Sequence, residues 1–291
     1  MESKVKEIIK KEFKTENFEI LSRLLGGRSN YTYVVIIDGE KYTLRIPGKN
    51  GNLFVDRNFE KNNLVAVNKL KINNETVFLD LDSGVKVSRF IEGDTLFNFK
   101  YDEYYLEITN VLHKVHNMAL LENNYNPMGR LSIYEDFCID LGYNHCDRYY
   151  ELKDRFVEYL DFLYEDKLVA CHNDAQPSNF IVGDDNKLYL TDWEFSGNNY
   201  ALYDIACFAD NDINESIKLL DIYLEGNAVN SDYKKVYLWR VFQTLQWHNV
   251  AMYKELIGLS KELLVDFQKI SLDYLDLAED LLNVADSINE N

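Results

Sequence analysis

His172-Asn173-Asp174-Ala175-Gln176-Pro177-Ser178-Asn179, followed by Asp192-Trp193-Glu194, is the stretch on which the reading of this chain turns. An Asp, an Asn five residues on and a second Asp beyond a short hairpin are the polar groups that phosphoryl transfer requires. That chemistry asks for little covalent help from a protein. It needs a group that takes or orients the attacking hydroxyl, and oxygen ligands for magnesium on the nucleotide phosphates. Asp174 suits the first task. Asn179 and Asp192 suit the second, because Mg2+ is a hard cation that prefers carboxylate and amide oxygens.

The local pattern supports that assignment. Phe180-Ile181-Val182 and Leu188-Tyr189-Leu190 flank Gly183-Asp184-Asp185-Asn186, which reads as a hairpin with a polar turn. Such a hairpin brings Asn179 and Asp192 to the same end of a two-stranded ribbon. Pro177 stops a helix from running through the loop that carries Asp174. Turns attract Asp, Asn and Gly anyway, because their side chains mimic backbone hydrogen bonds. That accounts for Asp184 to Asn186, but not for His-Asn-Asp, a spaced Asn and Asp-Trp-Glu together.

Composition sets outer bounds. The 291 residues are 46% apolar with only 3 prolines, which predicts a sizeable core and little disorder. A net charge of −18 argues against a nucleic-acid partner, whose phosphates are held by Lys and Arg. The same charge can steer a cationic substrate, although most of these carboxylates simply solvate the surface. No run approaches the roughly 18 apolar residues of a membrane span. The opening Met1-Glu2-Ser3-Lys4 runs into alternating charged and apolar residues, so no secretion signal is expected. Cys138, Cys146, Cys171 and Cys207 lack zinc spacing and are expected to be reduced. Together these features predict a cytoplasmic enzyme.

Along the chain, Glu2 to Phe13 has helical spacing, and strands are expected over Phe18–Leu25, Tyr31–Ile37 and Lys41–Ile46. Asp38-Gly39 between the last two is a two-residue hairpin signal. A helix over Asp56–Leu70 and a further hairpin, Thr76–Leu81 with Val85–Phe90, complete a β-rich first part. Helices then follow over Tyr101–Met118, Glu151–Tyr164, Ile213–Leu224, Tyr233–Glu255 and Lys261–Val284.

The His-Asn-Asp-x-x-x-x-Asn loop and Asp-Trp-Glu resemble those of the choline/ethanolamine kinases and their aminoglycoside-phosphotransferase relatives, from about Phe18 to Tyr253. Protein kinases usually carry Arg where this chain has Asn173, and Asp-Phe-Gly where it has Asp192-Trp193-Glu194. The resemblance implies an α+β, bilobal protein-kinase-like fold. Its small β-rich nucleotide-binding lobe is expected over 1–92, and its larger, mostly helical catalytic and acceptor-binding lobe over 93–291, with a hinge near Arg89 to Gly93. It also implies ATP and Mg2+ as cofactors and a small amino alcohol as substrate, choline first and ethanolamine next, and leaves the oligomeric state open. An aminoglycoside or thiamine kinase is the alternative, and a catalytically silent nucleotide-binding pseudokinase is a second.

On the nucleotide side, Gly26-Gly27-Arg28-Ser29-Asn30 resembles the family's loop over the ATP phosphates, with Gly27, Ser29 and Asn30 as its contacts. Arg45 stands where a protein kinase has Lys, and an Arg fork suits phosphate oxygens. Glu60 on the next helix is its expected partner, and the purine is expected against Val87 to Ile91, with Phe90 and Ile91 as nucleotide contacts. On the acceptor side, a quaternary ammonium calls for aromatic faces. The family's Trp-x-x-Trp is matched by Trp247, with Val250 in the second place. Tyr200, Tyr203 and Tyr253 are candidates for the missing face, with Asp174, Gln176 and Glu194 completing the acceptor set. Asp204 and His172 are expected to support the catalytic loop.

Overall fold

A computed structural model describes residues 1–24, 30–209 and 212–289. The chain divides into two compact units, Met1–Lys100 with Ser178–Ser196, and Tyr101–Pro177 with Gly197–Asn291.

The first unit opens with α1 (Glu2–Phe13), β1 (Phe18–Leu24), β2 (Asn30–Ile37), β3 (Glu40–Pro47), α2 (Arg57–Val67), β4 (Thr76–Leu79), β5 (Lys86–Arg89) and β6 (Gly93–Thr95). Five of the strands form an antiparallel sheet in the order β1-β2-β3-β5-β4. Its core forms because Val5 and Ile9, one helical turn apart on α1, meet the inward side chains Val35, Ile37, Leu44, Ile46 and Val87. Asp38 and Gly39 have φ of 50° and 90°, the mirror-image turn that matches strand twist, as the Asp-Gly pair predicts. Asp56 caps α2 by accepting hydrogen bonds from the N–H groups of Asn58 and Phe59.

The chain then continues through α3 (Tyr105–His116), α4 (Pro127–Asp140), α5 (Asp147–Val157), α6 (Leu160–Leu163) and β7 (Val169–Cys171) in the second unit. The hairpin of β8 (Phe180–Gly183) and β9 (Leu188–Leu190) returns to the first unit. There β6 pairs with β8, Gly93 facing Gly183. Gly93 has φ of 148°, and a Cβ on it would lie 2.1 Å from the Val182 carbonyl oxygen. The expected boundary at 92/93 therefore misses two things: the first unit runs on to Lys100, and it takes back the hairpin through this pairing.

The second unit is completed by β10 (Gly197–Asn199), which pairs with β7, and by α7 (Ala201–Cys207), α8 (Ile213–Tyr223), α9 (Asn230–Leu256), α10 (Leu259–Leu263) and α11 (Phe267–Ser287). Buried Leu238, Val241, Phe242 and Leu245 line α9, and Leu275, Ala278 and Leu282 line α11. Helix α4 was not expected. Its apolar residues go round it, with Leu131 and Cys138 buried but Ile133 and Ile139 exposed, so no stripe marks it. The last expected helix is broken at Leu264, which is left-handed, and restarts under Asp266, whose side chain accepts from the Lys269 N–H. No helix among the described residues is long and apolar enough to cross a membrane.

His248 ties α9 to α11. Its Nδ1 lies 3.0 Å from the Ser271 carbonyl oxygen, and burial pushes its pKa down to about 4 from the ordinary 6.5. The folded chain thus keeps this ring neutral while the unfolded chain protonates it first. Stability from this group is full above pH 6.5 and is lost between there and about pH 4, about 3 kcal/mol in all. Urea midpoints measured between those limits should fall with acid more steeply in the native protein than in folded His248→Gln. Equal slopes would remove His248 as the cause.

Candidate active site

Three cations and three carboxylates converge in the first unit. Arg45, nearly buried on β3, donates from Nη2 to Glu60 Oε1 at 2.8 Å and from Nη1 to Asp192 Oδ1 at 2.5 Å, with Glu194 Oε2 3.1 Å from Nη1. Arg57 Nη1 reaches Glu60 Oε2 at 2.5 Å and Glu194 Oε2 at 3.0 Å. Lys86 Nζ donates to Glu60 Oε1 at 3.0 Å and lies 3.9 Å from Asp192 Oδ1. The six formal charges cancel, as buried charges must.

Local structure explains the convergence. The β3–β5 register sets Arg45 opposite Lys86. Arg57 and Glu60 are three apart on α2 and so share a face. Burial alone would raise the Glu60 pKa, but Lys86, Arg45 and Arg57 outweigh it and hold this carboxylate far below its usual range. Burial would likewise lower the pKa of Arg45, and Glu194, Glu60 and Asp192 reverse that, fixing the guanidinium as a cation.

Asp192 follows β9 in the left-handed conformation, φ 64° and ψ 59°. The Asn179 carbonyl oxygen accepts from Thr191 N–H at 2.8 Å and Thr191 Oγ1 at 3.0 Å, so Asn179 and Asp192 leave the same end of the hairpin. Trp193 is buried, its indole N–H donating to the Leu190 carbonyl at 2.8 Å. Asn63 on α2 grips the segment beyond by donating to Ser196 O at 3.0 Å. An amide and a carboxylate oxygen at one hairpin end are a hard donor set that fits Mg2+.

The second unit carries the His172-Asn173-Asp174 loop. Asp204, fully buried on α7, accepts from His172 N–H at 2.8 Å and Asn173 N–H at 2.7 Å. Asn173 is left-handed at φ 64°, a conformation Asn tolerates. Its amide donates to Gly197 O at 3.1 Å and its oxygen accepts from Asn199 Nδ2 at 2.8 Å. His172 Nδ1 accepts the Asp174 N–H at 3.2 Å, and Gln176 Nε2 donates to Asp174 Oδ1 at 2.9 Å. The Asp174 carboxylate is thereby oriented and half-buried.

Other expected contacts fall differently. Gly27 and Ser29 lie outside the described residues. Asn30 donates to Glu194 Oε1 at 3.1 Å. Glu194, expected at the acceptor, is instead held by Arg45, Arg57 and Asn30 in the first unit. The Phe90 N–H is donated to the Lys41 carbonyl, which ties this residue to the edge of β3. Tyr200 is buried in a stack with Tyr164 and Trp239, ring centroids 5.3 and 5.4 Å away. Trp247 is half-buried on α9. Tyr253 sits about 120° from it round that helix, and is buried against Phe137 at 5.7 Å rather than beside it.

Arg57 and Lys86 were missed as site residues. The Arg57–Glu60 spacing was a visible helical pair, whereas Lys86 needed the strand register. A choline/ethanolamine kinase family model matches residues 21–217. Protein LicA of Haemophilus influenzae is 28% identical over 279 residues, 89% of this chain and 78% of LicA. The crystal structure of choline kinase LicA from Streptococcus pneumoniae superposes with a TM-score of 0.78 at 22% identity, over 98% of this chain and 99% of that one. A structure of LicA in complex with AMP gives the same TM-score and identity, over 97% and 98%. The fold is protein-kinase-like, and the chain belongs to the choline/ethanolamine kinase family of phosphotransferases acting on alcohol groups.

Proposed function

We propose that this protein transfers the γ-phosphoryl group of ATP, with Mg2+, to the hydroxyl of a small amino alcohol. The observation that carries this reading is the charge cluster around Arg45. Glu60 and Glu194 are buried there, with side-chain exposures of 0% and 7%, but the Asp192 side chain is 33% exposed. Asp192 is thus the carboxylate a cation can reach. With Asn179 it would hold Mg2+, which when bound neutralises charge on the phosphates and leaving oxygen. Arg45 Nη1 is shared by Asp192 and Glu194, and once Asp192 is engaged it can turn to a phosphate oxygen. The AMP complex of LicA supports a nucleotide on this fold. Asp174, oriented by Gln176 and by its own N–H on His172, takes the acceptor proton.

For the acceptor, choline comes first and ethanolamine second. Helical spacing puts Gln243, Trp247 and Val250 on one face of α9. Trp247 is half-buried there and offers an indole face to a quaternary ammonium, while Val250 in the second aromatic position removes one π-face and so leaves ethanolamine open. Trp247→Leu should weaken acceptor binding by on the order of 0.5–2 kcal/mol, seen in the acceptor KM with the ATP KM unchanged. Unaltered KM values for both amines in a folded variant would place Trp247 in the core and remove it from the substrate site.

A further inference from the structure

His116, on α3, is not among the residues that the loop motif brings to notice. Its Nε2 lies 3.1 Å from Asp204 Oδ2 and its Nδ1 lies 2.8 Å from the Tyr223 hydroxyl on α8. Asp204 in turn receives the His172 and Asn173 N–H groups. We infer that His116 is a positioning residue for the catalytic loop, acting through Asp204, with Tyr223 fixing its ring. The inference rests on the kinase reading of Asp174.

A fully buried carboxylate is costly unless its lone pairs are satisfied. Asp204 has 0% exposure, and two backbone N–H groups from one loop donate one bond to each of its oxygens. His116 supplies a third contact, to the Oδ2 that also accepts the His172 N–H, so the carboxylate is held by the loop and by α3 together. Tyr223 is stacked on His113 at 4.2 Å, which fixes its hydroxyl against the His116 ring. The relay therefore runs from two helices into the backbone two residues and one residue before Asp174. Cys171 completes a group with His116 and Asp204 whose ligand atoms lie within 4.8 Å of one another, a spacing that would also suit a metal. Both imidazole nitrogens and both Asp204 oxygens are already in hydrogen bonds, and burial holds the Cys171 thiol in its protonated form, so the group reads as a relay.

A displacement of Asp174 by a fraction of an ångström would lower turnover without removing a substrate contact. His116→Leu, which deletes both ring nitrogens, should reduce kcat about 10²-fold with both KM values nearly unchanged. His116→Gln keeps an amide donor for Asp204 and an acceptor for Tyr223, and should recover most of that loss. Hydrogen–deuterium exchange of the peptide spanning residues 172–176, read in the nucleotide-free protein, should speed up in His116→Leu and return toward native in His116→Gln. Should His116→Leu fail to fold, Tyr223→Phe must show the same changes in smaller size. Native exchange in the folded Leu or Phe variants, or equal kcat loss for Leu and Gln, would overturn the inference. Because exchange needs no substrate, that failure is separable from a failure of the kinase reading, which shows as a native protein without turnover.

Discussion

Asp174→Ala is expected to lower kcat about 10³-fold, the range of a lost general base, while ATP affinity stays near native. The carboxylate is in the second unit, held by Gln176 and by the loop that Asp204 braces, whereas Arg45, Asp192 and Glu60 belong to the first unit. On the proposed reading the cut removes the group that receives the acceptor proton and leaves the proposed phosphate and metal ligands in place. Titrating a fluorescent ATP analogue into the folded variant checks this. Nucleotide binding lost in step with turnover would contradict the role given to Asp174.

Asp192→Asn should act on the metal instead. Replacing the charged ligand by an amide weakens a hard-cation site, so kcat should fall by about 10²-fold or more and the Mg2+ midpoint should rise with it. The charge cluster adds a second expectation. Asp192 now neutralises Arg45 and stands 3.9 Å from Lys86. Without its charge the cluster carries one net positive charge, so metal-free ADP should bind more tightly than to the native protein. Calorimetry with ADP in chelator and a Mg2+ titration of activity measure the two effects separately. An unmoved Mg2+ midpoint removes Asp192 from the metal site, and weaker metal-free ADP binding would contradict the charge bookkeeping around Arg45.

Much of the fold was legible because its signals are local. Asp38-Gly39 marks its turn, the Glu2–Phe13 periodicity marks α1, and the apolar runs around Asp184 mark the hairpin, all realised in the structure. Helix α4 was illegible because its apolar residues surround the helix. The break at Leu264 was illegible because no Gly or Pro announces it. The boundary at 92/93 failed for a different reason: β6 pairs with a strand almost ninety residues later, and pairing over that distance leaves no local mark. At the candidate site, the loop residues could be read from spacing, including Asp204 from its resemblance. Lys86 and His116 could not, since each is defined by partners distant in sequence or across a strand register, whereas Arg57 was visible only as the helical neighbour of Glu60 and not by its bond to Glu194. Glu194 was misplaced because its neighbour Asp192 suggested the reaction centre, while the short helical turn at Trp193 directs it to Arg57.

The measurement that bears most directly on the central claim is phosphorus NMR of purified protein with ATP, Mg2+ and choline or ethanolamine, run beside thiamine and an aminoglycoside. The expected spectrum shows a phosphomonoester growing with ADP, one for one, on choline or ethanolamine, and absent when Mg2+ is chelated or Asp174 is replaced by Ala. Phosphorylation of the aminoglycoside or thiamine alone would contradict the amino-alcohol assignment, and ATP left intact with every acceptor would contradict the kinase reading itself.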